Sequence, residues 1–400
     1  MMKIHFQKNL FARIILIIAL VFNACQNDGI HQSIDLNRND VVSVFDMFDR
    51  VDIIPLETHP DALLGAISRV KFFDGNYYIL DMKTQQVFCF DRQGRFNFKI
   101  SAQGSGPGEY TFANYLTIDS NKQQILLLDA ISQRILFFDL EGNFRNSLTI
   151  PVNKAMGFVR CYVINESILL LTTMGREHLV FFDKTKNEVN LSDTLFYTPA
   201  DLHAFSPHFN VYQHNNRTYA LPALSRELFD VSGSNAVPYF KWCFGRSNNS
   251  PRQIIQLIEE KSNRSFSERM IFLFEAVGKG KILNYHIIKV FETNRFKMAF
   301  LEFENDYKHV VIDKKMNNTH VFNSFKEGIS LVFEHMQSDR VITHDKRIDA
   351  FMKELGIPEL YNRTNETFNV ETFSEHDREI ILNHDPMTDN PFLVVYKFKE

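Results

Sequence analysis

The sequence is short of tryptophan, cysteine and basic charge, and each shortage argues against a class of protein. Its 400 residues carry 44 Lys and Arg against 48 Asp and Glu, so it lacks the basic surface that nucleic acids require. Only four cysteines are present, and three remain once Cys25 is assigned to the lipid attachment argued below, an odd number that rules out a complete disulfide framework. The single Trp242 stands against 39 Phe. Because carbohydrate platforms more often use Trp, this scarcity counts against a sugar-binding surface.

Long apolar runs are also lacking, since no stretch approaches the roughly 18 apolar residues of a membrane-spanning helix. The N-terminus carries basic residues, then the apolar run Ile14–Phe22, then Ala24 directly before Cys25. This order is typical of a secretory signal peptide, and a small residue before a cysteine resembles a bacterial lipobox. The alternatives are an ordinary secretory signal with an incidental cysteine, and a cytoplasmic protein with a short buried helix.

A lipid on Cys25 would hold the chain on a membrane without a spanning helix, because each buried methylene of an acyl chain contributes roughly 0.8 kcal/mol. We therefore expect a lipoprotein signal peptide at 1–24, a polar tether at 25–45 and a single folded domain at 46–400. Gln26 follows the cysteine, which by resemblance to lipoprotein sorting rules favours the outer membrane. The periplasmic and the cell-surface face both remain open.

Two stretches of the chain repeat one pattern at a constant offset of 48 residues. The matched positions are Asp81 with Asp129, Phe90-Asp91 with Phe138-Asp139, Gly94 with Gly142, and Phe96 with Phe144. A period of this length in strand-rich sequence is typical of propeller blades. The fold class is therefore predicted as all-β.

The repeat predicts a six-bladed β-propeller of four-stranded antiparallel blades with short helical insertions. The isolated strand Val51–Glu57 is expected to complete the last blade and close the ring, which removes exposed sheet edges. Helical periodicity predicts insertions at Pro251–Lys261 and Arg347–Leu355. A seven-bladed ring, the alternative, would need one blade hidden in those insertions.

Three features together resemble a known family. They are the lipobox, the I-P-L-E-T motif at Ile54–Thr58 and the G-S-G-P-G-E-Y motif at Gly104–Tyr110. The chain resembles the six-bladed propeller lipoproteins of Gram-negative gut bacteria, whose blades are NHL-like. The resemblance implies this fold and a place in the cell envelope, and it carries over no catalytic residues because the family is largely uncharacterised.

The glycine-rich motif at Gly104–Tyr110 also invites comparison with a phosphate-binding loop. No Lys-Ser/Thr pair follows, and the next segment has the pattern of a strand rather than of a helix that could hold an anion. A tight connection between blades that needs positive φ at glycine explains the motif better. Glu109 and Tyr110 are nevertheless kept as candidate ligand-binding residues, because the Glu109 carboxylate could hold a ligand cation or hydroxyl.

Other chemistry-bearing residues have structural explanations. Turn capping explains the aspartates at the blade hairpins better than a ring of carboxylates does: Asp91, Asp139, Asp183 and Asp230. Local spacing supports no zinc site at the nearby histidines His203, His208 and His214. The loop His384–Asn390 lacks the glycine and bidentate glutamate of an EF-type calcium loop and is predicted as a turn. Cys89 and Cys161 lie in apolar segments and are predicted as buried structural cysteines.

No nucleophile elbow, metalloprotease helix or nucleotide fingerprint occurs in the chain, so we name no catalytic residue, metal ligand or cofactor. The first hypothesis is a lipid-anchored envelope protein that acts as a binding or scaffold protein for a glycan, a peptide or a partner protein. The second is a lyase or hydrolase with a metal or carboxylates in the central channel. It requires His, Asp, Glu or Tyr side chains from at least three blades around one cavity, and a channel plugged by Phe and Leu would contradict it. The third is a structural partner of an uptake complex, with a flat apolar patch and no deep cavity.

Overall fold

The computed structural model describes residues 33–151, 158–173, 179–191, 210–222, 225–233, 235–245, 285–304, 306–328, 335–337, 339–344, 373–385 and 387–400, together with scattered positions between 256 and 271. These residues contain 24 strands and two short helices. The strands form six antiparallel sheets of four strands each. The prediction of a six-bladed propeller is therefore confirmed, and the seven-bladed alternative is wrong.

Five of the six blades are built from consecutive strands. In each of these blades, the strands follow one another from the first to the fourth in chain order. Blade 1 comprises β2 (Ile67–Phe73), β3 (Asn76–Asp81), β4 (Gln86–Asp91) and β5 (Phe96–Ile100); blade 2, β6 (Ala113–Asp119), β7 (Gln124–Asp129), β8 (Arg134–Asp139) and β9 (Phe144–Thr149); blade 3, β10 (Phe158–Val163), β11 (Ile168–Thr173), β12 (Leu179–Asp183) and β13 (Glu188–Leu191); blade 4, β14 (Asn210–His214), β15 (Arg217–Leu221), β16 (Glu227–Asp230) and β17 (Val237–Lys241); blade 5, β18 (Tyr285–Glu292), β19 (Phe296–Phe303), β20 (Asp306–Asp313) and β21 (Asn318–Phe322).

Blade 6 joins the two ends of the domain. It contains β22 (His335–Gln337), β23 (Arg340–His344), β24 (Phe392–Phe398) and, as its fourth strand, β1 (Phe48–Pro55). Strand β1 pairs antiparallel with β24, with Ile53 opposite Val394. The predicted closure of the ring by an N-terminal strand is therefore confirmed. Because β24 pairs with β1 on one side and with β23 on the other, neither of its edges is exposed.

Two helices flank the closing strand, and neither is among the predicted insertions. Helix α1 (Val44–Met47) begins at Ser43 in a capping box completed by Asp46, which satisfies backbone N–H groups at the helix start. Helix α2 (Glu375–Asn383) begins at Ser374. Of the predicted insertions, Arg347–Leu355 lies outside the described residues, as does all of Pro251–Lys261 except positions 256 and 260, which are helical.

The repeated aspartates hold the turns of the blades, as predicted. The carboxylates of Asp91, Asp139, Asp183 and Asp230 each accept a hydrogen bond from the backbone N–H two residues further on. Gly94 and Gly142 complete the turns in blades 1 and 2 with φ of +83° and +86°, a conformation that glycine adopts without steric cost.

The core lies between the blades and is dominated by aliphatic and aromatic side chains. The middle strands are buried on both faces, as in Ile125–Leu128 of β7, which lies between clusters shared with blade 1 and blade 3. Cys89 and Cys161 are free and buried, and burial raises the pKa of each thiol to about 12. The prediction of inert structural cysteines is confirmed for both.

Candidate functional site

The first strands of all six blades surround a central cavity of about 690 Å³. The hairpin turns that follow the inner strands contribute Asn121, Asn215, Asn294 and Asp339 to its lining. The cavity therefore lies towards the end of the channel where the first and second strands of the blades connect.

Strand periodicity places the polar side chains in this cavity. On β2, Arg69 and Lys71 flank Val70, which is buried in the core between blades. On β10, Arg160 and Tyr162 flank the buried Cys161 in the same way. Because successive side chains of a strand point to opposite faces, burying the middle residue directs its two neighbours together, and both pairs line the cavity.

Amide side chains fasten the inner strands to one another around the channel. Gln337 of β22 both accepts from the Phe72 N–H (3.0 Å) and donates to its carbonyl (2.8 Å). The side-chain amide of Gln213 on β14 donates to the Val163 carbonyl at 2.6 Å, and that of Asn210 donates to the Ile288 carbonyl at 2.7 Å. These bonds satisfy backbone groups that no neighbouring strand reaches, and they hold the cavity walls at fixed positions.

The cavity wall formed by blades 1 to 3 is cationic. The Arg69 guanidinium lies 4.1 Å from the centroid of the Tyr115 ring, a cation–π contact. Tyr115 packs against Tyr162 with ring centroids 5.6 Å apart. Within the part of the chain that the structure describes, no carboxylate forms an ion pair with Arg69, Lys71 or Arg160.

Among the described lining residues, the remaining wall adds one carboxylate, and Arg340 already pairs with it. Asp339 accepts charge-assisted hydrogen bonds from Arg340, with Nη2–Oδ2 at 2.5 Å. Burial, together with the charge of Arg69, lowers the pKa of Lys71 to about 8. The described lining of the cavity is therefore positive, because it holds more Arg and Lys than Asp or Glu, although the chain as a whole has a net charge of −4.

His335 is a buried polar side chain in this positive surrounding. It is 6% exposed, and neither ring nitrogen has a hydrogen-bond partner among the described residues. Burial, the adjacent His344 and the charges of Arg69, Lys289 and Lys71 hold its pKa well below the usual value. The imidazole is therefore neutral at pH 7 and presents one donor and one acceptor.

A buried ionic cluster lies beside the cavity, between blades 4 and 5. Glu292 accepts from the Lys314 ammonium at 2.9 Å, from the Tyr239 hydroxyl at 3.0 Å and from the Tyr212 hydroxyl at 3.3 Å, and Lys297 lies 3.5 Å away. Burial acts to raise the pKa of Glu292, but the two lysines outweigh it and hold the pKa below its ordinary value. Since Tyr212 also lines the cavity, this cluster supports one part of the cavity wall.

The two candidate ligand-binding residues lie away from the described lining. The Glu109 carboxylate accepts from the Gly106 N–H at 2.8 Å, within its own loop. The Tyr110 ring is fully buried, and its hydroxyl donates to the Gln85 carbonyl at 2.6 Å. Gly108 has φ of +80°, as the tight-connection interpretation requires. These contacts give Glu109 and Tyr110 structural roles, and their ligand-binding role stays a prediction.

The remaining sequence candidates are dispersed. Of the three clustered histidines, His214 lines the cavity, whereas His203 and His208 lie outside the described residues, as does Cys25. In the loop after α2, Asp385 accepts from the Met387 N–H at 2.9 Å, which is turn chemistry. Within the described ranges, no group of three or more His, Cys, Asp or Glu could hold a metal ion.

Sequence reasoning missed the cationic wall. The signal was present as basic residues alternating with buried apolar ones in the first strand of a blade, as in Arg69-Val70-Lys71. It was missed because the later blades are degenerate, so their first strands could not be aligned. The convergence of these strands is a property of the closed ring.

The described helices include none that is long and apolar enough to span a membrane. No curated protein matches the sequence. Among solved structures, the chain is similar to a Bacteroides fragilis protein described as exported, with 16% identity, a TM-score of 0.68, and coverage of 91% of this chain and 98% of that one. It is also similar to a Bacteroides vulgatus member of the DUF4221 family, with 10% identity, a TM-score of 0.51 and coverage of 88% and 97%. At these identities the likeness supports the propeller fold alone. The family model described as "Domain of unknown function (DUF4934)" matches residues 31–397, and the chain belongs to this family.

Proposed function

We propose that this protein is a cell-envelope binding protein whose central cavity holds a small polar ligand. The observation that carries the proposal is the cavity of about 690 Å³ bounded by the first strands of all six blades. Its volume falls within the roughly 300–1,000 Å³ of small-molecule sites. Tyr, His, Arg and Lys side chains line it, in contrast to a channel filled by Phe and Leu, so this site favours a ligand over a purely structural role.

A binding screen against the purified domain tests this proposal. Glycans, peptides and envelope metabolites are screened by thermal shift, and each hit is measured by calorimetry. Ser120, in the turn that follows β6, lines the cavity and is exposed. The variant Ser120→Trp should narrow the opening and abolish binding of a hit.

The matched control is Glu141→Trp, at an exposed turn between β8 and β9 of the same blade. It adds the same indole away from the cavity and should leave affinity unchanged. A ligand that binds both variants as tightly as the wild type would place the site elsewhere and overturn the proposal.

We also propose that a lipid on Cys25 anchors the protein in the cell envelope. The signal-like N-terminus and the lipobox-like cysteine support attachment at Cys25, and the likeness to a protein described as exported agrees with it. An acylated cysteine has no thiol left to form a disulfide bond, so peptide mapping of the protein extracted from membranes tests the anchor.

An acylated N-terminal peptide starting at Cys25, together with release of a Cys25→Ser variant from the membrane fraction, is the expected result. A Cys25 that is joined to Cys243, or a membrane fraction that retains Cys25→Ser, contradicts lipid anchoring. Either result leaves the cavity proposal intact.

Catalysis in the same cavity is the second candidate function. It is favoured by the convergence of Tyr115, Tyr162, His214 and His335, which come from four different blades. The test is incubation of each ligand found in the screen with the protein, followed by mass spectrometry. A product that forms with the wild type and not with His335→Gln supports catalysis, and ligands recovered unchanged contradict it.

A further inference from the structure

We propose that the central cavity selects organic anions, with a carboxylate, sulfate or phosphate group held between Arg69, Lys71 and Arg160. This inference rests on the proposed function and names the ligand class of the same site. It predicts discrimination by charge, whereas the proposed function requires only that a ligand occupies the cavity.

The first argument is the unbalanced charge of the cavity wall. Arg69 and Lys71 enter from blade 1 and Arg160 from blade 3, and all three are only partly exposed. In the described part of the chain they form no ion pair, although the whole sequence has more acidic than basic residues. Removing cations from water is costly unless an anion compensates them, and an anionic ligand would supply that compensation.

The second argument is the unused hydrogen-bonding capacity of His335. The residue is 6% exposed and is part of the cavity lining, and neither ring nitrogen has a hydrogen-bond partner among the described residues. A buried polar group left without a hydrogen-bond partner destabilises the protein. The neutral ring can donate one N–H to a ligand oxygen, as fits an oxyanion next to the cations.

The third argument is that contacts within the protein hold the cationic wall in place. The Arg69 guanidinium is seated on the Tyr115 ring at 4.1 Å, and Tyr115 is in turn packed against Tyr162. Burial, first of all, raises the pKa of the Tyr115 hydroxyl, so it stays protonated and can donate. A guanidinium held in one position loses less entropy on binding a carboxylate, sulfate or phosphate.

Calorimetry with charge-matched pairs tests the inference. The probes are sugars carrying a carboxylate, sulfate or phosphate, each paired with its neutral parent, and inorganic sulfate serves as the charge-only probe. We expect at least one anionic sugar to bind tenfold or more tightly than its neutral parent. A comparison of the carboxylate, sulfate and phosphate sugars then identifies which of the three groups the cavity prefers.

Two substitutions locate the interaction, and one serves as the control. Arg69→Gln and Arg160→Gln should each weaken binding of the anionic sugar about tenfold, because each removes a charge-assisted hydrogen bond. Arg145→Gln removes a guanidinium on β9 that pairs with Asp139 at 2.6 Å and should leave affinity unchanged. If Arg69→Gln fails to fold, Arg69→Lys keeps the charge and should retain part of the affinity.

The outcomes separate this inference from the proposed function. Equal affinity for a neutral sugar and its anionic counterpart, unaffected by Arg69→Gln and Arg160→Gln, overturns the charge inference and leaves the cavity as a binding site. Binding of inorganic sulfate with no gain for any organic anion also overturns it. Failure of every charged and neutral probe, together with no hit in the wider screen, overturns both.

Discussion

Lys71 of β2 and Lys297 of β19 have similarly shifted pKa values and different partners. Burial lowers the pKa of both ammonium groups to about 8. Lys297 lies 3.5 Å from Glu292, and its ammonium packs 3.8 Å from the Phe240 ring centroid. Lys71 has no carboxylate partner among the described residues.

The difference separates a charge that the described fold compensates from one that it does not. The cluster around Glu292 contains its own counter-charge and hydrogen bonds, so removing one member should damage the fold. The wall around Lys71 carries the cost of burying a cation without that compensation. An ionisable group such as Lys71, whose pKa is shifted by burial and which lines a cavity, is a candidate for a functional site.

The largest effect should come from breaking the compensated cluster. Glu292→Gln leaves Lys297 and Lys314 without their carboxylate and should lower the free energy of unfolding by about 3 kcal/mol, measured by urea denaturation at pH 7. Because the pKa of Glu292 is lowered from its ordinary value of 4.5, its stabilising contribution is complete above that value and is lost as pH falls through the folded-state pKa. The difference from the wild type should therefore shrink below pH 4.5.

The control for this variant is Glu141→Gln, which removes an exposed carboxylate from the turn between β8 and β9. It should change the free energy of unfolding by no more than about 0.5 kcal/mol. Equal stability of Glu292→Gln and Glu141→Gln would contradict the assignment of Glu292 as the counter-charge of the cluster.

The next effect concerns the pH dependence of binding at the uncompensated wall. The pKa of Lys71 is about 8, so its ammonium is charged at pH 7 and neutral well above pH 8. Affinity for an anionic sugar should fall by roughly tenfold between pH 7 and pH 9.5, which corresponds to the loss of one charge-assisted hydrogen bond. Calorimetry across this range measures the change.

Buried tyrosines and a histidine near the cationic wall have pKa values shifted away from the range between pH 7 and pH 9.5. Tyr78 lies opposite Lys71 on β3, and the charge of Lys71 acts on His335. Burial raises the pKa of Tyr78 and Tyr115, and that of His335 is lowered. Lys71→Arg, whose guanidinium stays charged, should remove the pH dependence. A pH profile unchanged in Lys71→Arg would assign it to another group.

The smallest change in stability is expected for replacement of Lys71, which can be compared directly with replacement of Lys297. Lys71→Met should leave the free energy of unfolding within about 1 kcal/mol of the wild type, or raise it, because it removes a buried cation that has no counter-charge. Lys297→Met takes a partner from the buried Glu292 and should lower the free energy of unfolding. Parallel urea denaturation of both variants measures this, and equal losses would show that both lysines are structural.

Much of the fold was predictable because it is locally encoded. The Asp129 and Asp139 turns repeat those of Asp81 and Asp91 at one offset, and turn geometry depends on a few adjacent residues. The strand at Val51–Glu57 was correctly assigned to ring closure, because an isolated strand before the first blade needs a partner. Helix α2 was missed, since its short amphipathic pattern offers little signal without the surface that it packs against.

The candidate site was less predictable, because none of its residues forms a motif. Glu109 and Tyr110 attracted attention by standing in a glycine-rich sequence, and their contacts are internal to the loop and the core. Arg69 and Arg160 lie 91 positions apart, in strands that resemble any half-buried strand. Arg69 and Arg160 form a candidate anion site only because the fold brings both of them to one cavity.

The amino-acid order alone encodes the repeating blade, its hairpins and the closing strand, because each depends on strand periodicity and on the backbone preferences of Asp and Gly. Only the tertiary structure brings Lys297 to Glu292 and places Lys71, Arg69 and Arg160 at a common cavity, where no described carboxylate forms an ion pair with them. The physical reason is that charge interactions depend on distance and burial in space. Closure of the ring sets both for residues that the chain keeps far apart.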